Sequence, residues 1–290
     1  MHTLQNGQLT VTLRPDLGGR IDQIVDESRG KRWLWHPPGY RGERRVLPVG
    51  ASFDDHWSGG FDEIFPSDAA CRSQGRDLPV HGELWSQPWE VLEETSLGIR
   101  LRYSCGSLPV DVEKSVELDP RWPELRVVYR LRSRADEAID YLLKLHPALA
   151  IEAGDEILMP RCLVKPVDLG FSRILKEDDW RPWRTAVLGV VPPKGKLQEF
   201  VYAKELEEGQ VGLRSKRTAS ILWLEFSRQQ FPYVWLFQAY GGWHKHYALV
   251  VEPATNIPWD LDAAKSAGSC ARIGPREHQV FELQMSLEDR

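Results

Sequence analysis

No stretch of the sequence approaches the ~18 uninterrupted apolar residues that a membrane-crossing helix needs, so no membrane partner is expected. The N-terminal MHTLQNGQLTVTLRPDLGG has no basic segment followed by an apolar one, and so lacks the pattern of a secretory signal. Cysteines are few and scattered: Cys71, Cys105, Cys162 and Cys270 form no CxxC pair, which removes the zinc signature. A cytoplasmic location with free thiols is the resulting expectation. Basic stripes are missing as well. The 37 Lys and Arg residues are interspersed with 42 Asp and Glu for a net charge of -5, which argues against a nucleic-acid partner. There is no low-complexity linker and no internal repeat, so residues 1–290 read as one domain. With 42% hydrophobic and 27% charged residues, the chain has an ordinary globular composition, which excludes wholesale disorder.

Helical periodicity is scarce; the best candidate is short, 259–267, with Pro258 leading into it. What dominates is period two. In 110–118, Val110, Val112, Lys114, Val116 and Leu118 share one face, opposite Asp111, Glu113, Ser115 and Glu117. The same alternation marks 97–103, 125–131 and 280–287, as expected of half-buried antiparallel strands. Further strands are predicted at 8–14, 20–25, 31–35, 88–93, 138–145, 199–203, 219–226, 233–239 and 246–252, separated by Gly, Pro, Asp and Asn. Many short strands with turn signals between them predict an all-β sandwich or barrel.

Twelve tryptophans are present. Each can serve as core, because an indole buries a large area; together they also suit a ligand with apolar C–H faces and hydroxyls, such as a sugar. Three further features stand out. Residues 58–89 are rich in Gly, Pro, Trp, Asp and His and poor in alternation, which reads as a long loop of the kind that carries function. Within it, Gly82 permits a turn that would present His81, although taken alone the His-Gly pair reads as structural. His146 closes the apolar run 142–146 and is kept extended by Pro147; it is either a core histidine or one that faces a cleft. Glu252 closes the apolar run 247–251, where an unpartnered ion is costly. Either a partner compensates it, or desolvation raises its pKa for proton transfer.

In this order and spacing, Gly18-Gly19-Arg20-Ile21, Gly59-Gly60-Phe61-Asp62-Glu63-Ile64-Phe65-Pro66, Leu78-Pro79-Val80-His81-Gly82, Leu145-His146-Pro147 and Val250-Val251-Glu252-Pro253 resemble the aldose 1-epimerase (galactose mutarotase-like) family. The likeness is to its bacterial branch related to the hexose-6-phosphate mutarotases. The resemblance implies a large antiparallel β-sandwich with a sugar cleft on one face. It implies Glu252 as general base at the anomeric hydroxyl, His146 as general acid at the ring oxygen, and His81 as a sugar-binding residue. That chemistry uses no metal, no redox cofactor and no covalent intermediate. The partner it implies is a small-molecule sugar, with the protein a monomer or homodimer.

The chain also departs from the family pattern. The phosphosugar branch has an arginine before the Gly-Gly pair and another after the His-Gly pair; here those positions are Ser58 and Trp85. A guanidinium can clamp a phosphate bidentately, so the expected substrate is unphosphorylated, with Trp85 as an aromatic platform and Glu83 repelling phosphate. The nearest match to the family's hydroxyl-binding aspartate, three residues before a tyrosine, is Glu199 before Tyr202, one methylene longer; its other reading is a surface strand residue. Asp62 and Glu63 either line the cleft or form a surface turn; the surface placement is the expectation. A sugar-binding module without turnover, or a lyase or hydrolase on the same scaffold, remains open at this point.

Overall fold

The computed structural model of the chain describes residues 1–42 and 47–289. Among them, strands gather into two large antiparallel sheets that face each other as a β-sandwich. One sheet runs in the order His2–Gln5, Leu9–Arg14, Arg20–Asp26, Phe61–Ile64, Lys144–Ala150, Tyr247–Ala254, Tyr233–Tyr240, Leu197–Lys204, Leu163–Pro166, Arg181–Pro182, and Lys31–Arg32 pairs with Arg20–Asp26 off this path. The other runs Glu156–Leu158, Gln210–Arg214, Ile221–Phe226, His278–Glu288, Glu124–Ser133, Val110–Leu118, Gly98–Ser104, Glu90–Glu94. No helix among the described residues is long and apolar enough to cross a membrane.

The alternating strands lie where their periodicity puts them, because each has one wet face and one dry one. On Val110–Leu118 the inward residues are all buried, Lys114 among them. Its ammonium crosses the sandwich and donates to Glu63 of the facing sheet and to the Gly19 carbonyl at 3.1 Å. Tyr129 Oη donates to the same Glu63 oxygen at 2.6 Å. This corrects the surface placement of Asp62 and Glu63: they are 2% and 0% exposed. The reason is that Phe61–Ile64 is an interior strand with both faces covered, not part of a plain loop. The 58–89 stretch also contains the Cys71–Ser73 and Arg76–Leu78 hairpin.

The predicted 138–145 strand is two elements. Ile139–Tyr141 pairs with Ala271–Ile273 in a small separate ribbon, and Lys144–Ala150 enters the large sheet. His146 therefore sits inside a strand and not at its end. Pro147 has no N–H to give, and the pairing with Tyr247–Ala254 is interrupted between Lys144 and Ala148. The predicted 31–35 strand shortens to Lys31–Arg32, with Leu34 forming only an isolated bridge to Leu149. The one predicted helix forms as Leu261–Ser266, where the Asp260 side chain accepts from the Ala263 N–H. All four cysteines are free.

Candidate active site

Strand alternation brings Lys144 and His146 to one face of their strand, two residues apart. Lys144 pairs with Ala254 and Ala148 with Val250, so counting along both strands sets His146 opposite Glu252. The gap in the ladder left by Pro147 falls at this position. His146 Nε2 stands 3.9 Å from Glu252 Oε1, too far for a hydrogen bond, so neither atom is spent on the other. The opposite carboxylate oxygen, Oε2, lies 2.7 Å from Lys144 Nζ. The same ammonium lies 2.8 Å from Asp68 Oδ1 and 4.1 Å over the Trp235 ring. Asp68 Oδ1 in turn is 3.8 Å from His81 Nε2. Five titratable groups thus form one row: His81, Asp68, Lys144, Glu252, His146.

The turn that carries His81 depends on local backbone. His81 and Gly82 both have positive φ, +56° and +65°. A Cβ on Gly82 would lie 1.8 Å from the Phe65 carbonyl oxygen, so only glycine fits there. The His81 N–H donates to the Asp68 carbonyl at 2.8 Å, and its ring stacks on Phe53 at 4.6 Å. This places the imidazole at the mouth of a cleft of about 420 Å³. Phe53, Trp57, Phe171, Phe200, Phe237, Trp243 and Trp259 supply its apolar walls, and the row of titratable groups supplies its polar side.

Burial governs the charges here. It pushes the Glu252 carboxyl up to about 7, against the pull of Lys144. Burial drives His146 well below the ordinary histidine value, and the positive Lys144 drives it further. His81 is lowered by burial, against the attraction of Asp68. Burial also works against the charge on Lys144, but Asp68 and Glu252 outweigh it and leave that pKa raised. The result is a fixed cation, two neutral imidazoles, and a carboxyl near its midpoint at neutral pH. A near-neutral carboxyl next to a neutral imidazole can exchange one proton with a bound ligand.

Of the residues singled out in the sequence, the structure brings together Glu252, His146 and His81 and sets Glu199 and Trp85 apart from them. Phe200 lines the cleft, so alternation turns Glu199 to the other face of its strand. There Oε2 accepts from the N–H groups of Ile174 and Leu175 at 2.8 and 3.0 Å. Trp85 is 4% exposed and lines a neighbouring hollow with Arg20, Tyr40 and Asp62. It meets Phe53 of the cleft wall edge-on at 4.9 Å. Glu83 does not face the cleft either: it is fully buried and accepts from Tyr103, Gly106 and Ser107. Sequence reasoning missed Lys144 and Asp68. Lys144 did leave a signal, a charge two residues before His146 in an otherwise apolar run. Asp68 left none.

No protein-family model and no curated protein matches the sequence. Solved structures do. A protein of Synechocystis superposes with a TM-score of 0.77 at 15% identity, over 100% of this chain and 96% of that one. A protein of Escherichia coli K12, provisionally described as an aldose 1-epimerase, gives 0.75 at 14% identity over 100% and 99%. A galactose mutarotase-like protein of Lactobacillus casei gives 0.71 at 14% identity over 99% and 100%. At such identities the likeness is one of architecture, and it extends over nearly the full length of each chain. The fold of this chain is that of the galactose mutarotase-like proteins.

Proposed function

We propose that the protein is a sugar isomerase of the aldose 1-epimerase type, interconverting the α and β anomers of an unphosphorylated aldose. The observation that carries this reading is the geometry of Glu252 beside His146: a buried carboxyl raised to about 7 and an imidazole, 3.9 Å apart in an aromatic cleft. In ring opening, Glu252 takes the proton of the anomeric hydroxyl and His146 delivers one to the ring oxygen. The O–H electron pair becomes the carbonyl π bond, and the C1–O5 pair leaves with the ring oxygen. Glu252 is then protonated and His146 neutral. After rotation about C1–C2, reclosure runs the transfers backwards on the other face. The pair therefore holds one proton between its two members when the sugar enters; ring opening needs it on His146 with Glu252 ionised, whereas burial favours it on Glu252, so this direction draws on the minor of the two one-proton arrangements.

His81, whose Nδ1 is buried without a partner, binds a sugar hydroxyl. Aromatic walls pack on the sugar's C–H faces. Trp85 and Glu199 act at one remove, Trp85 by bracing Phe53 and Glu199 by anchoring the Ile174–Leu175 backbone. The charge of the lining supports an unphosphorylated substrate. Lys144 is the one lysine or arginine among the described residues that line the cleft, and it is committed to two carboxylates. A phosphate would face Asp54, Asp68 and Glu252 with no free cation.

Exchange between anomers, followed by NMR on glucose, galactose and glucose 6-phosphate, tests the proposal. A neutral sugar is expected to exchange faster with the protein. Glu252→Gln and His146→Ala are each expected to lower that acceleration by about 10²-fold or more while binding persists. Undiminished turnover in Glu252→Gln overturns the assignment; binding of a neutral sugar with no acceleration makes the protein a sugar-binding module.

A further inference from the structure

Lys144 has no role in the reaction just described, yet it is the most constrained charge in the cleft. Its side chain is 2% exposed and spans two carboxylates at 2.8 and 2.7 Å above an indole face. A buried ion pair is weak support for stability, since well-packed apolar residues often do as well. The arrangement instead has a direction. The ammonium engages Oε2 of Glu252, the oxygen turned away from His146, and leaves Oε1 toward the imidazole. Asp68 Oδ1 lies 2.8 Å from the same ammonium, so the lysine stands between two carboxylates.

We propose that Lys144, clamped by Asp68, is a positioning residue whose ammonium holds one oxygen of Glu252 and so presents the other to His146 and the sugar. The inference rests on the assignment of Glu252 made above. Around Glu252 stand Lys144 and His146 from their shared strand and Asp68 from the loop after Phe61–Ile64. Tyr202 comes from Leu197–Lys204, His81 from its turn, and Asp54 from the short Phe53–His56 helix. Of these, Lys144 pulls the Glu252 carboxyl down and Asp68 pushes it up. Removing the two groups must therefore move Glu252 in opposite directions, which reports their charge on it, while a fall in kcat without a change in KM reports the positioning.

The test follows the side-chain carboxyl of Glu252 by carbon NMR across pH in the full-length free protein, alongside anomer exchange. In Lys144→Met the Glu252 midpoint is expected to rise, and kcat to fall about 10–100-fold with KM little changed, the scale of loss for a misdirected reacting group. In Asp68→Asn the midpoint is expected to fall. Lys144→Arg is expected to restore most of the midpoint and part of the rate. If Lys144→Met does not fold, Asp68→Asn and Lys144→Arg still carry the test. Midpoints that stay put, or that move the same way in both variants, overturn the inference. So does an unchanged kcat in Lys144→Met when Glu252→Gln is inactive. Full activity of Glu252→Gln would instead bring down the underlying assignment, and the NMR midpoints would still judge the Lys144–Glu252 linkage alone.

Discussion

Replacing Lys114 by methionine removes the cation that crosses the sandwich. Both Lys114 and Glu63 are 0% exposed, so bulk solvent does not reach the pair. Glu63 would keep only the Tyr129 hydroxyl at 2.6 Å, and its Oε2 has no partner even now. Breaking a buried pair by removing one member typically costs about 3–5 kcal/mol. At roughly 2–4 °C per kcal/mol for a large domain, the melting temperature should drop by about 6–20 °C. The loss depends on pH with a definite sign. Burial already holds the Glu63 carboxyl above its ordinary 4.5, against Lys114 and Tyr129. A carboxyl whose folded pKa is raised is least harmful at low pH, where it is neutral in both states. It subtracts stability as pH rises from its unfolded value through its folded one. Without Lys114 the folded pKa climbs further, so the gap between variant and wild type should widen from pH 5 to pH 8. The double variant Glu63→Gln/Lys114→Met removes both charges but keeps an acceptor for Tyr129, and should recover most of the loss. Thermal melts of the three proteins at both pH values decide it. A single variant that melts with wild type at pH 8, or a penalty equal at both pH values, refutes the reasoning.

Anomer exchange should follow a bell-shaped pH profile. Its alkaline limb should lie near pH 7, where Glu252 surrenders the proton shared with His146, and its acid limb below the ordinary histidine range. A rate that only climbs through pH 7 and 8 contradicts the one-proton requirement. Gly82→Ala should lower the melting temperature by several degrees. The left-handed backbone alone costs on the order of 1–3 kcal/mol for a residue with a side chain, and the new methyl would overlap the Phe65 carbonyl. Melting with wild type would show that the turn around His81 is not built as described.

The legible strands were those with one wet face. His278–Glu288 and Val110–Leu118 alternate because water covers one side. Phe61–Ile64 is buried at all four positions, so its sequence carries no period to detect. The predicted 138–145 strand failed for a related reason. Both of its halves are buried, and nothing local reveals that Ile139–Tyr141 leaves the large sheet to pair with Ala271–Ile273. In the site, His81, His146 and Glu252 could be found from motif order. Glu199 illustrates the limit of spacing on a strand, because an offset of three from Tyr202 puts the two side chains on opposite faces. Asp68 and Lys144 acquire meaning only through register, when Lys144–Ala150 is laid between Phe61–Ile64 and Tyr247–Ala254.

The ion pairs of Lys144 also bear on chemical self-protection. In the proposed reaction, ring opening would release an aldehyde within reach of a primary amine. A neutral lysine there would condense with the carbonyl, lose water and leave the protein glycated at its own centre. Asp68 and Glu252 keep that nitrogen protonated, with its lone pair occupied and carboxylate oxygens 2.8 and 2.7 Å away. An ammonium has no electron pair to attack a carbonyl. Under the proposed reaction, the clamp would let a lysine stand beside a reactive intermediate over many turnovers without covalent damage.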